Sequence, residues 1–200
     1  MVRVFPFQGH LVCRAKTKGA RYHHERGYSS GSKEFFRTAQ MCESLRPGLE
    51  SSTAPAAPEL LRQLDAILAE LHHNLGCIGT ETNDPASTLK HFKIFNEMMI
   101  AQTGSSINGK DQRLAVSWNE LGNAYMMNKM WQDGERCFKN SIESSRLLKE
   151  FHPTDTSFPY VNLGLAYWLM DQYDDAMEHL LLGLRHREDA YGVDDNHSFM

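Results

Sequence analysis

The stretch SWNELGNAYMMNKMWQDGERCFKNS, Ser117 to Ser141, decides the fold. Its large apolar residues, Trp118, Leu121, Tyr125 and Phe138, recur at helical spacing, yet Gly122 and Gly134 interrupt them. An interior glycine costs a helix about 1 kcal/mol relative to alanine. A sequence that accepts this twice needs something alanine would block.

The same rhythm returns further along. Trp118-Asn-Glu-Leu121-Gly122-Asn-Ala-Tyr125 aligns with Tyr160-Val-Asn-Leu163-Gly164-Leu-Ala-Tyr167, 42 positions later. Trp131, Gly134 and Phe138 align with Tyr173, Ala176 and Leu180 at the same offset. A weaker copy lies 46 positions upstream: Leu75-Gly76, then Pro85, Thr88, Phe92 and Phe95. A partial copy matching only the second-helix half opens the series with Tyr28, Gly31, Phe35 and Thr38.

This pattern resembles the tetratricopeptide repeat, in which W-x₂-L-G-x₂-Y is followed by a small residue and an aromatic. The resemblance covers roughly residues 59–191 and implies an all-α, tetratricopeptide-type helix-turn-helix solenoid, an α-α superhelix. Each repeat pairs two antiparallel helices, and the glycines admit close approach while Trp118, Leu121, Tyr125 and Phe138 fill the space around it. The glycines are then steric, not catalytic. Repeats longer than 34 residues are similar to kinesin-light-chain arrays, and HHNLGCIGTETNDP is similar to repeats of fungal tetratricopeptide proteins of unassigned role. The first copy departs from the pattern, with His72 in the aromatic place and Gly79 in the tyrosine place.

The resemblance also implies a concave groove lined by the first helix of each repeat. Its candidate residues are Asn119, Asn123, Met127, Asn162 and Leu165, with Val116, Val161 and Trp168 nearby. An asparagine amide both donates to and accepts from a peptide backbone, and methionine adapts to varied side chains. The alternative is that these asparagines satisfy neighbouring helices. Asn123 and Asn162 fall where a chaperone-binding carboxylate clamp has asparagines, but Asn119 replaces its leading lysine, so the clamp is not supported.

Two hundred residues, 41% hydrophobic, suffice for a real core. No apolar run approaches the roughly 20 residues a membrane span needs. Cys13, Cys42, Cys77 and Cys137 lack paired spacing and read as reduced intracellular thiols. The net charge of -4 hides an asymmetry. Residues 1–27 carry six basic residues against Glu25, so the rest of the chain is strongly acidic. A nucleic-acid role could rest only on that leading segment.

Helical spacing runs over 33–45 and stops at Arg46-Pro47-Gly48, a strong terminator. Ser51 to Pro58 reads as loop. Further helices are expected over about 59–79, 87–99, 112–128, 132–150, 157–170 and 173–191, with no strand. The domain reading is a basic, disordered segment over 1–27, a partial repeat with a Pro/Ser/Ala linker over 28–58, and repeats over about 59–104, 111–152 and 153–192. The leucine-rich last helix, apolar nearly all round, points to an array truncated at its C-terminal end or buried by self-association.

No cofactor motif is present. Neighbouring histidines on a helix diverge by about 100°, so neither His23-His24 nor His72-His73 clamps an ion alone. An enzyme is not indicated. The expected function is a scaffold that binds a partner peptide or helix. The alternatives are a regulatory or sensor arm of a larger signalling protein, or a nucleic-acid-associated factor acting through the basic tail. The expected location is the cytoplasm, with mitochondrion and nucleus left open.

Overall fold

A computed structural model of the chain describes residues 28–107 and 111–191. The expectations for residues 1–27, and for everything after Tyr191, lie outside the described residues. Among the described residues seven helices follow one another: α1 (Tyr28–Glu50), α2 (Ala57–Glu81), α3 (Pro85–Thr103), α4 (Gln112–Met127), α5 (Trp131–Arg146), α6 (Thr154–Leu169) and α7 (Tyr173–Tyr191). Among the described residues there is no strand. The fold is all-α and of the helical-repeat kind.

The turns show why the helices stop where they do. Asn83, Lys129 and Asp171 all adopt the left-handed conformation, at φ of 53°, 58° and 60°. In each case the next backbone N–H reaches back five residues: Asp84 to Gly79 at 2.8 Å, Met130 to Tyr125 at 3.0 Å, and Gln172 to Tyr167 at 2.9 Å. This six-to-one bond satisfies a carbonyl the helix end would orphan. The three turns fall at the offsets of the sequence repeat, 46 and then 42 residues. The hairpins α2–α3, α4–α5 and α6–α7 therefore close with the same turn.

The glycines recur in the same register. A Cβ on Gly76 would lie 2.5 Å from the Phe92 ring, one on Gly122 2.4 Å from the Phe138 ring, and one on Gly164 2.8 Å from Leu180 Cγ. In each hairpin the obstructing side chain lies sixteen residues after the glycine. Phe92 and Phe138 are fully buried, a contribution of roughly 1.5–3 kcal/mol each.

The described residues form two compact units, divided between Phe95 and Asn96. In the first, α1 packs on α2 through buried Phe35, Ala39 and Cys42. Phe36, next along the helix, turns outward and is 46% exposed. The expected stop at Arg46-Pro47-Gly48 is corrected too, because α1 continues to Glu50. Pro47 removes one backbone bond, the one to the Glu43 carbonyl. Its carbonyl accepts from Ser51 N at 3.1 Å and Ser51 Oγ at 2.9 Å, while Arg46 pairs with Asp65 of α2. Pro58 enters the first turn of α2, where its missing N–H costs nothing.

In the second unit, α4 packs on α5, α5 on α6 and α6 on α7. Phe138, Ile142, Tyr160, Leu163, Ala166, Tyr167 and Ala176 form a core cluster, flanked by Met126, Met170 and Leu182. α5 ends at Arg146, one turn before the expected 150, and α6 begins at Thr154. Pro159 stands inside α6 and cannot donate to the carbonyl of Asp155. Ser145 Oγ of α5 donates to that carbonyl instead, at 3.3 Å.

Candidate functional site: the matched faces of α4 and α6

At 100° per residue, Phe158, Leu165 and Leu169 fall within about 40° of one line along α6. They are 55%, 51% and 43% exposed. Their counterparts 42 positions earlier, Val116, Asn123 and Met127, form the same line on α4. Val116 is exposed; Asn123 and Met127 are half-buried. One helix thus presents a mixed line and the other an apolar one. Trp168, also exposed, sits on the shoulder of the α6 line and meets Tyr173 edge-on with ring centroids 5.2 Å apart.

Asparagines join the two helices. Asn162 Nδ2 donates to Asn119 Oδ1 at 3.0 Å. Asn119 and Asn123 both hydrogen-bond the Glu120 carboxyl, which burial pushes above the usual carboxylate range while these amides pull it back. Of the groove candidates, then, Asn119 and Asn162 are tied to each other, Asn119 and Asn123 hold Glu120, and Leu165 stands open. Phe158 was not among the sequence candidates. Its only signal was its 42-residue offset from Val116. Arg187 of α7 lies over its ring at 4.8 Å.

The motif residues divide by what covers them. Leu75, Gly76, Leu121, Gly122, Gly134, Phe138, Tyr160, Leu163, Gly164, Tyr167 and Ala176 are buried; Trp118 and Tyr125 are half-buried. α5 accounts for the two tyrosines: Tyr167 Oη donates to Glu135 at 3.2 Å, and Arg146 donates to Tyr160 Oη. Trp118 instead donates from Nε1 to the Ser106 carbonyl at 2.7 Å.

Two of the cysteines are buried thiols. Burial raises the Cys137 thiol to about 12, far from a reactive thiolate, and raises Cys42 as well. Among the described residues, no three His, Cys, Asp or Glu side chains converge as a metal site requires, and no helix is long and apolar enough to cross a membrane.

This geometry defines a helical-repeat protein built from antiparallel helix pairs. No curated protein matches the chain. The crystal structure of BtubC (BKLC) from P. vanneervenii is similar with a TM-score of 0.74, at 17% identity, covering 98% of this chain and 70% of that one. At that identity the likeness speaks for the fold alone. The family model described as Tetratricopeptide repeat matches residues 113–189. The segment from α4 to α7 is a pair of tetratricopeptide repeats, a family that in general mediates contacts between proteins and serves as non-catalytic scaffold.

Proposed function

We propose that the chain is a protein-interaction module that receives a helix or peptide of a partner on the matched faces of α4 and α6. The line Phe158–Leu165–Leu169 carries the reading. Three large apolar side chains on one helix line, each more than two-fifths exposed, form a patch of the kind that marks interaction sites. The Asn119–Asn162 bond holds the two faces at fixed spacing, so a partner meets a preformed surface. The test is selection of peptide binders from a helical library, followed by anisotropy titrations and amide-shift mapping. Leu165→Asp should weaken the selected peptides ~30-fold or more, as expected for a central apolar contact, with an unchanged circular dichroism spectrum. Peptides that bind Leu165→Asp as tightly as wild type, and shift amides elsewhere, would remove the reading.

A second reading concerns α7. Glu135, Phe138, Lys139 and Ile142 of α5 face α6; Phe138 and Ile142 join its core, while Glu135 and Lys139 meet Tyr167. Of the residues 42 positions later, Leu180 lies against Gly164 within its own hairpin, as Phe138 does against Gly122, which leaves Met177, Leu181 and Leu184 on this face. Met177 is 59% exposed and Leu181 43%. This face therefore repeats a helix-binding surface, and we assign its occupant to a second copy of the chain. Light scattering should show a concentration-dependent dimer that Met177→Lys/Leu181→Lys converts to monomer. A wild-type monomer at 100 µM would end this reading and leave the first intact.

A further inference from the structure

Two histidines far apart in sequence meet inside the first compact unit. His72 on α2 and His91 on α3 approach Nδ1 to Nδ1 at 3.0 Å, with rings stacked at 5.2 Å and 27° between their planes. They are 6% and 7% exposed. Two facing nitrogens at that distance share one proton: one ring is the Nδ1–H tautomer and the other accepts. Charging one ring at Nε2 keeps that bond but places a positive charge where little water reaches, and charging both points two N–H groups at each other with no acceptor between them.

We propose that the His72–His91 pair is an acid-sensitive latch, which holds α3 on α2 while both rings are neutral and releases it as they take up charge.

The surroundings favour the neutral pair. Lys90 on α3 disfavours positive charge on both rings. Glu43 on α1 favours charge on His72, and Asp84 in the α2–α3 turn favours it on His91, but neither outweighs burial. Burial, then the charge on His72, then Lys90 hold His91 down at about 4, and burial lowers His72 as well. His73 turns away from the pair to lie 5.0 Å from the Phe95 ring, so it offers no alternative proton acceptor. Release would be felt through the core, because the pair lies in the same α2–α3 hairpin as buried Leu71, Leu75 and Phe92.

The sign follows from proton binding. The folded histidine titrates below its unfolded value of 6.5, so the unfolded or opened form binds protons first. The stabilisation is whole above about pH 6.5 and is lost as pH falls from there toward 4. For His91 alone, a drop from neutral pH to pH 5 should raise the opened fraction about 20- to 30-fold, given values of 6.5 and about 4.

The experiment is hydrogen exchange of the full chain, read by mass spectrometry at pH 7.5 and pH 5.0 and corrected for intrinsic rates. Protection of residues 71–79 and 88–95 should fall about 20- to 30-fold on acidification, while α6 keeps its protection. In the variant His72→Leu/His91→Leu, which removes both polar partners together, the fall should vanish. An equal fall in that variant, or no fall in the wild type, overturns the proposal. Should the variant fail to fold, nitrogen chemical shifts of the wild-type imidazoles decide. One ring held as the Nδ1–H tautomer and both neutral down to pH 5 support the latch; two rings charging independently near 6.5 refute it.

Discussion

Gly122 and Gly48 both stand inside helices, but only one is there for a steric reason. A Cβ at Gly122 would meet the Phe138 ring at 2.4 Å, whereas Gly48 has nothing within 4 Å. Phe138 is fully buried and has nowhere to move. Gly122→Ala should therefore lose roughly 1–3 kcal/mol through overpacking, despite the helix propensity it gains. Gly48→Ala should be neutral or gain up to about 1 kcal/mol. Urea denaturation of both variants checks the contrast, and equal effects would contradict the close crossing. This distinction was legible for Gly122, whose place in the repeat names its obstacle. It was not legible for His72, because its partner lies nineteen residues away in a stretch that copies no histidine.

Element boundaries depend on bonds that cross from one helix to the next, and these explain the misread ends. Pro47 reads as a stop, yet α1 runs through it: a proline removes a single backbone bond, and Ser51 gives the Pro47 carbonyl two. Pro159 lies deeper in its helix, and there Ser145 provides the missing donor. Ser145→Ala should leave the Asp155 carbonyl short of a partner and cost about 1–3 kcal/mol. Its neighbour Ser144 is equally buried but its hydroxyl has no hydrogen-bond partner. Ser144→Ala should raise stability by up to about 1 kcal/mol, from the relieved hydroxyl and the better helix former. Thermal melts of the two variants should move in opposite directions, and a loss in both would contradict the assignment of donors.

At the scale of the molecule, the repeat register was readable from the sequence because it is a property of spacing. Trp118, Gly122 and Phe138 announce their hairpin, and the 42-residue offset announces the next. Which residues remain accessible was not readable. The motif treats Trp118 and Tyr160 alike, yet α5 covers the tyrosine and leaves the tryptophan half-buried. The asparagines met the same limit: Asn119 and Asn162 are 43 positions apart, and only the packing of α4 beside α6 brings their amides within 3.0 Å.

The hydroxyl of Ser145 also bears on the order of events during synthesis. A ribosome delivers α5 before α6, and domains generally gain structure from the N-terminal side as they emerge. When Pro159 leaves the exit tunnel, the donor its helix lacks has already emerged. A circularly permuted gene that delivered α6 first would deprive the nascent helix of that template, and it would have to wait with an open carbonyl until its neighbour arrived.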